Sequence, residues 1–200
     1  MNRHVGCARL PAIGLLVVGL LVVGCSKPPT EEMNAAQATI DSVKALPDVQ
    51  TYAMDQAQTA EQALAAVRQQ VTEKKYDEAR AALPNVFSAA RGAVGAAQSA
   101  KEAARLDAER AISDANAAIA EAEGKIPHAP RYGKGAIRDI NTLKAQVAAA
   151  KADVQAAQSA VGTEDYRGAA ARGRDAATKA RGVTQTIDDA IAMRQQARRR

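Results

Sequence analysis

The residues able to do chemistry are few and far apart. The chain holds two cysteines, Cys7 and Cys25, and two histidines, His4 and His128. His128 sits in the run Ile126-Pro127-His128-Ala129-Pro130, where a lone imidazole is expected to be solvated. Paired carboxylates occur at Glu31-Glu32 and Asp188-Asp189. Neighbouring residues point to different faces of a helix, so neither pair suits an acid and a base turned toward one substrate. Gly133-Lys134-Gly135 lacks the longer spacing of a phosphate loop. No Cys, His and Asp come together at metal-ligand spacing. The expectation is therefore no catalytic, cofactor-binding or metal-binding residue, no small-molecule substrate, and no enzyme. Cys25 is the exception, because of what surrounds it.

Met1 to Arg9 carries Arg3 and Arg9 and no acid, and Leu10 to Gly24 is 15 residues without a charge. A bilayer span takes about 20 apolar residues, so this run suits the apolar stretch of a signal peptide. It closes on Val22-Val23-Gly24-Cys25, followed by the polar, Pro-rich Ser26-Lys27-Pro28-Pro29. These residues resemble the bacterial lipobox. The resemblance implies a diacylglycerol on the Cys25 thiol, cleavage before Cys25, and usually acylation of the new amine. Residues 1–24 would leave as the signal peptide, and a covalent lipid on Cys25 would tie the chain to a membrane. One acyl chain holds weakly, at about 0.8 kcal/mol per buried methylene, so several chains on one Cys make the anchor durable. In such lipoproteins Asp after the Cys retains the protein in the inner membrane. Ser26 departs from that signal and favours the outer membrane, with the body facing the periplasm.

With Cys7 removed and Cys25 acylated, no disulfide can form within the chain, and packing alone must hold it. The whole chain has a net charge of +5; without Arg3 and Arg9 it is +3, which Arg198, Arg199 and Arg200 account for entirely. The basic balance is thus a tail effect. Nucleic-acid binding calls for a basic face, often with stacking aromatics. This chain has one Phe, four Tyr and no Trp, so that class is excluded.

The elements that must position anything are helical. Alanine makes up about a quarter of the chain, and Gln, Lys, Arg and Glu supply much of the rest. All are good helix formers, and no stretch alternates with period two. From Cys25 on, only 24 residues are Leu, Ile, Val or Phe, which predicts a thin core. Residues 25–33 read as a polar tether. Asn34 to Leu46 reads as a short helix stopped at Pro47-Asp48, and 127–135 as a linker rich in Pro and Gly.

Four segments carry apolar residues at alternating spacings of three and four. They are Ala57, Ala60, Leu64, Val67, Val71; then Ala79, Leu83, Val86, Ala90, Ala93, Ala97, Ala100, continuing with Ile112, Ala115, Ile119, Ala122 and Ile126; then Ile140, Leu143, Val147, Ala150, Val154, Ala157, Val161; then Ala169, Gly173, Ala176, Ala180, Val183, Ile187, Ala190. A mean spacing near 3.5 keeps one stripe turned toward a partner helix. Pro84, in the second segment, is expected to kink or break it.

The chain also matches itself at a shift of 90 residues: Leu64 with Val154, Val71 with Val161, Tyr76 with Tyr166, and Ala90-Arg91-Gly92 with Ala180-Arg181-Gly182. This predicts two copies of one helical hairpin, in which a polar turn precedes Tyr76 or Tyr166 and the Tyr opens the return helix. The expected organisation is a first unit at 34–126, a second at 136–197, and a basic tail at 198–200. The fold class is all-α: elongated hairpins in a thin, Ala-rich bundle or coiled-coil-like packing.

Tyr76-Asp77-Glu78-Ala79 and Tyr166-Arg167-Gly168-Ala169, each after a polar turn, resemble the turn of tetratricopeptide-like hairpins. Alanine-rich bacterial lipoproteins with such hairpins, grouped as a domain of unknown function, are similar to this chain. The resemblance implies a helical envelope lipoprotein and no activity. The expected role is a non-enzymatic, membrane-anchored scaffold or interaction module, whose partner is an envelope protein or a second copy of itself. The alternative is a stress-protective chain, partly disordered in water. The Ala96-Ala97-Gln98-Ser99-Ala100-Lys101-Glu102 stretch resembles the repeats of late-embryogenesis-abundant proteins.

Overall fold

The computed structural model describes residues 27–199. The expected signal peptide, the motif Val22, Val23, Gly24, Cys25 with its lipid, and the last residue of the basic tail lie outside the described residues. Every regular element among the described residues is helical: α1 (Thr30–Lys44), α2 (Pro47–Tyr52), α3 (Met54–Thr72), α4 (Tyr76–Lys125), a 3-10 turn (Ile126–His128), α5 (Ile140–Gly162) and α6 (Tyr166–Arg198).

The helices begin and end for local reasons. Helix α1 opens at Thr30, four residues before Asn34, and so takes in residues 30–33 of the expected tether. Glu31 and Glu32 meet the positive end of the helix dipole, Pro29 is fully buried, and Met33 packs on the core. Pro47 does not simply stop a helix. It stands at the first position of α2, where its fixed φ suits a helix start and no donor is lost. Asp139 caps α5, accepting from the backbone N–H of Asn141 and of Thr142. Asp165 caps α6 by accepting from the Gly168 N–H at 3.0 Å.

The turns before α4 and α6 share one geometry. After α3, Lys74 N–H donates to the Val71 carbonyl and Lys75 N–H to the Gln70 carbonyl. After α5, Glu164 N–H donates to the Val161 carbonyl and Asp165 N–H to the Ala160 carbonyl. Lys74 and Glu164 both have φ of 61°. This is the left-handed helix stop that satisfies the last free carbonyls, here without the usual Gly.

Helix α4 is the spine. Its 50 residues extend about 75 Å at 1.5 Å per residue. It continues through Pro84 without a break. Pro84 is exposed, so the carbonyl that its missing N–H would have engaged can be solvated. Around the first half of α4, α1 runs parallel to it and α3 antiparallel, as the pairs Glu32–Arg80, Gln37–Arg68 and Lys44–Glu61 show. Around its second half, α6 runs parallel and α5 antiparallel, as the pairs Asp107–Arg174, Lys125–Asp188 and Glu123–Lys151 show.

Packing therefore divides the chain elsewhere than at residue 126. One core runs from Ala36 through Leu64 and Val86 to Ala97. A second joins Ala115, Ile119 and Ile126 of the α4 region to Leu143, Val154, Val183 and Ile187. A small third core joins Ala108 and Ala111 to Tyr166, Ala169 and Ala170. The expected first unit does not close on itself, because the C-terminal half of α4 completes the other bundle. The stripe on α4 also changes phase. Its buried positions stop at Ala97 and resume at Ala108. The spacing 97, 101, 104, 108 inserts an extra step of four, which rotates the buried face from one set of partners to the other.

Candidate functional site

That phase change puts Lys101 where an apolar residue would otherwise face inward. The side chain is 25% exposed. Its Nζ lies 3.1 Å from Asp48 Oδ1 on α2 and 2.7 Å from Glu164 Oε2 in the turn between α5 and α6. One cation thus joins three elements drawn from both bundles. Hydrogen bonds to Glu164 and then to Asp48 hold the ammonium well above the usual lysine range. Charged in that way, it is no nucleophile or general base at neutral pH, and it acts as a clasp.

A second contact crosses the same junction. The guanidinium of Arg167, the second residue of α6, lies over the Tyr52 ring with its carbon 4.9 Å from the ring centroid. Burial raises the Tyr52 hydroxyl above its ordinary value, while Arg167 and Lys101 pull it down. A shallow recess beside this junction is lined by Leu46, Pro47, Val49, Val94, Ala97 and Glu164.

The seam between α4 and α6 carries the other charge cluster. One nitrogen of Arg174 lies 2.7 and 2.6 Å from the two carboxylate oxygens of Asp107. Arg110, Asp114 and Arg181 line the same groove. The helices meet closely here because Gly173 lies against Ala111. On the exposed face of α4, Arg105 pairs with both Glu102 and Glu109.

The residues singled out from the sequence fall as follows. Tyr76 and Tyr166 are the first residues of α4 and α6. Tyr166 is buried against Ala108 and Ala111, whereas Tyr76 is half-buried. His128 is exposed at the end of the 3-10 turn. Glu32 pairs with Arg80, Asp188 pairs with Lys125 at 2.6 Å, and Asp189 accepts from Gln185. These carboxylates are distributed along the rod and do not converge. Gly133 and Gly135 both have positive φ, in the loop before α5. Among the described residues no group of three or more His, Cys, Asp or Glu is placed to hold a metal ion, and no helix is long and apolar enough to cross a membrane. Sequence reasoning missed the Lys101 clasp. The available signal was a lysine at a stripe position between Ala97 and Ala104.

No family model, curated protein or solved structure matches the chain.

Proposed function

We propose that the chain is a lipid-anchored, non-enzymatic scaffold of the bacterial envelope, held by acyl chains on Cys25 and most consistent with the periplasmic face of an outer membrane. The observation that carries this reading is where the body receives its tether. The Lys27 carbonyl accepts from Arg80 at 3.2 Å, and Glu32 pairs with the same Arg80, close to the first turn of α4. The segment that would bear the lipid therefore joins one pole of the molecule. The spine then runs away from that pole, presenting two three-helix faces.

In this reading α3–α4 and α5–α6 are two copies of one hairpin with coiled-coil-like packing. The matched turns at Lys74 and Glu164, 90 residues apart with the same φ and the same pair of hydrogen bonds, support a duplication. Buried stripes on each long helix, interrupted on α4 between Ala97 and Ala108, favour a folded scaffold over a hydration-responsive coil.

Mass spectrometry of the chain purified from membranes tests the anchor. Acylated Cys25 as the first residue supports it; an intact leader or a bare thiol overturns it. Cys25→Ala should release the chain from the membrane fraction. In-cell crosslinking of the lipidated chain tests the scaffold, which requires recovery of a partner or a self-complex. A cooperative loss of helicity on heating excludes the disordered alternative.

A further inference from the structure

We propose that the pole of the rod farthest from Lys27 docks on an anionic lipid surface. The inference takes from the scaffold reading only that the near pole is held by a membrane. The chemistry of the far pole stands on its own residues.

Residues 129–139 and the last turns of α6 are folded together there. Gly135 packs so closely on α6 that a Cβ would lie 2.5 Å from the Ala190 carbonyl oxygen and 3.1 Å from Met193 Cβ. Ala129 and Ile137 join the core that contains Ile187 and Ile191. The exposed cations of this pole are Arg131, Lys134 and Arg138 from the loop and Arg194, Arg198 and Arg199 from α6. None of the six makes an ion pair among the described residues; along the rod Lys101, Arg105, Lys125, Lys151, Arg174 and Lys179 are paired, whereas Arg91, Arg110, Lys144, Arg172 and Arg181 are exposed without a pair but scattered rather than clustered. Asp139, the one carboxylate of the loop, is occupied in capping α5. Cations at a helix C-terminus offset its dipole, which accounts for Arg198 but not for three cations in the loop.

Two exposed apolar side chains accompany this charge. Tyr132 is 82% exposed and Met193 57% exposed, the two most exposed large apolar residues among those described. Unpaired Lys and Arg beside an exposed Tyr are what a bilayer interface recognises: the cations meet anionic head groups and the ring sits at head-group level. An acidic polymer would use the charges and leave Tyr132 and Met193 in water, so the lipid surface fits the full set. From Arg80 to Lys125, α4 rises about 70 Å, and that separates the two poles.

The chain has no Trp, so Tyr132→Trp creates a single reporter at the pole. The lipidated Tyr132→Trp chain is inserted into phosphatidylcholine vesicles, and vesicles containing phosphatidylglycerol are then added. Expected are a blue shift of the emission, quenching by brominated acyl chains in the added vesicles, and clustering of the two populations. All three should disappear near 1 M salt, where the screening length falls to about 3 Å. Replacing Arg131, Lys134 and Arg138 by Gln, or separately Arg194, Arg198 and Arg199, should weaken the effect by about fivefold per cation, with helicity by circular dichroism unchanged. An equal response to added phosphatidylcholine vesicles overturns the proposal. So does a silent reporter, including one in a chain that binds an anionic wall polymer instead. Mass spectrometry of the same sample separates the two claims. A bare Cys25 with a responding Trp sinks the anchor alone, and an acylated Cys25 with a silent Trp sinks the docking pole alone.

Discussion

Gly173 of α6 packs against Ala111 of α4 with no room for a side chain: a Cβ there would lie 2.9 Å from the Ala111 carbonyl carbon and 3.0 Å from its Cβ. The parallel seam between these two long helices depends on that hydrogen. Gly173→Ala gains about 1 kcal/mol of helix propensity. Forcing a methyl into a closed seam costs about 1–3 kcal/mol, so the net effect should be a lower Tm. Gly92 and Gly182 are also helical but face open space. Their replacement by Ala should raise Tm, by up to about 1 kcal/mol of stability each. Thermal melts of the three variants decide the matter. A Gly173→Ala chain at least as stable as the parent means that the seam is looser than described.

Lys101 should matter to the joint between the bundles. Lys101→Met leaves Asp48 and Glu164 facing the same spot without their shared cation. The folded state raises the pKa of Lys101 through hydrogen bonds to those two carboxylates. Its contribution is therefore fully present below the unfolded lysine value, near 10.4, and is lost as the pH rises through the folded value. The parent should melt above Lys101→Met at neutral pH, and the gap should close in alkali. A gap that is constant to pH about 12 removes the ionic explanation.

What the sequence made legible and what it hid follow from how each feature is encoded. Ala57, Ala60, Leu64 and Val67 are buried because their spacing places them on one face. The positions opening the two return helices were readable from a polar run followed by Tyr. The start of α1 was hidden because its first turn, Thr30 to Met33, is mostly polar and helical by virtue of a buried Pro29 and two acids at the dipole end. The sharing of α4 was hidden for a different reason. A stripe of Ala reads alike on any face, so Ala100 at the regular step of three concealed the step of four to Lys101. The loop glycines showed no purpose until Gly135 was seen against Ala190.

The two turns offer a matched test of backbone and charge. Lys74 and Glu164 hold the same left-handed φ of 61°. That conformation costs a side-chain-bearing residue roughly 1–2 kcal/mol, which Gly escapes at some expense in unfolded-chain entropy. Lys74→Gly should therefore stabilise slightly. Glu164→Gly gains the same backbone relief but loses the contact with Lys101 at 2.7 Å. It should melt below Lys74→Gly, and the gap should shrink in a Lys101→Met background. Equal shifts in both backgrounds mean that the ion pair adds nothing at that turn.

Asp139 predicts the opposite pH response at the other end of the second bundle. Its carboxylate accepts from the Thr142 hydroxyl at 2.7 Å and from the Asn141 and Thr142 backbone N–H groups at 2.9 and 3.3 Å. These bonds hold its pKa below the ordinary value, the Thr142 hydroxyl contributing most. A group whose folded pKa is depressed contributes stability above its unfolded value, near 3.9, and loses it as the pH falls through the folded one. Asp139→Ala should fray the first turn of α5 at neutral pH, seen as faster amide exchange at Asn141 and Thr142. Asp139→Asn keeps a capping oxygen without a titration and should protect both amides independently of pH. In the parent, protection relative to Asp139→Asn should fall as the pH drops below the unfolded value, near 3.9, and through the lower folded one. A parent whose protection tracks Asp139→Asn throughout that window would show that the cap holds equally well when neutral, and that the charge on Asp139 is idle.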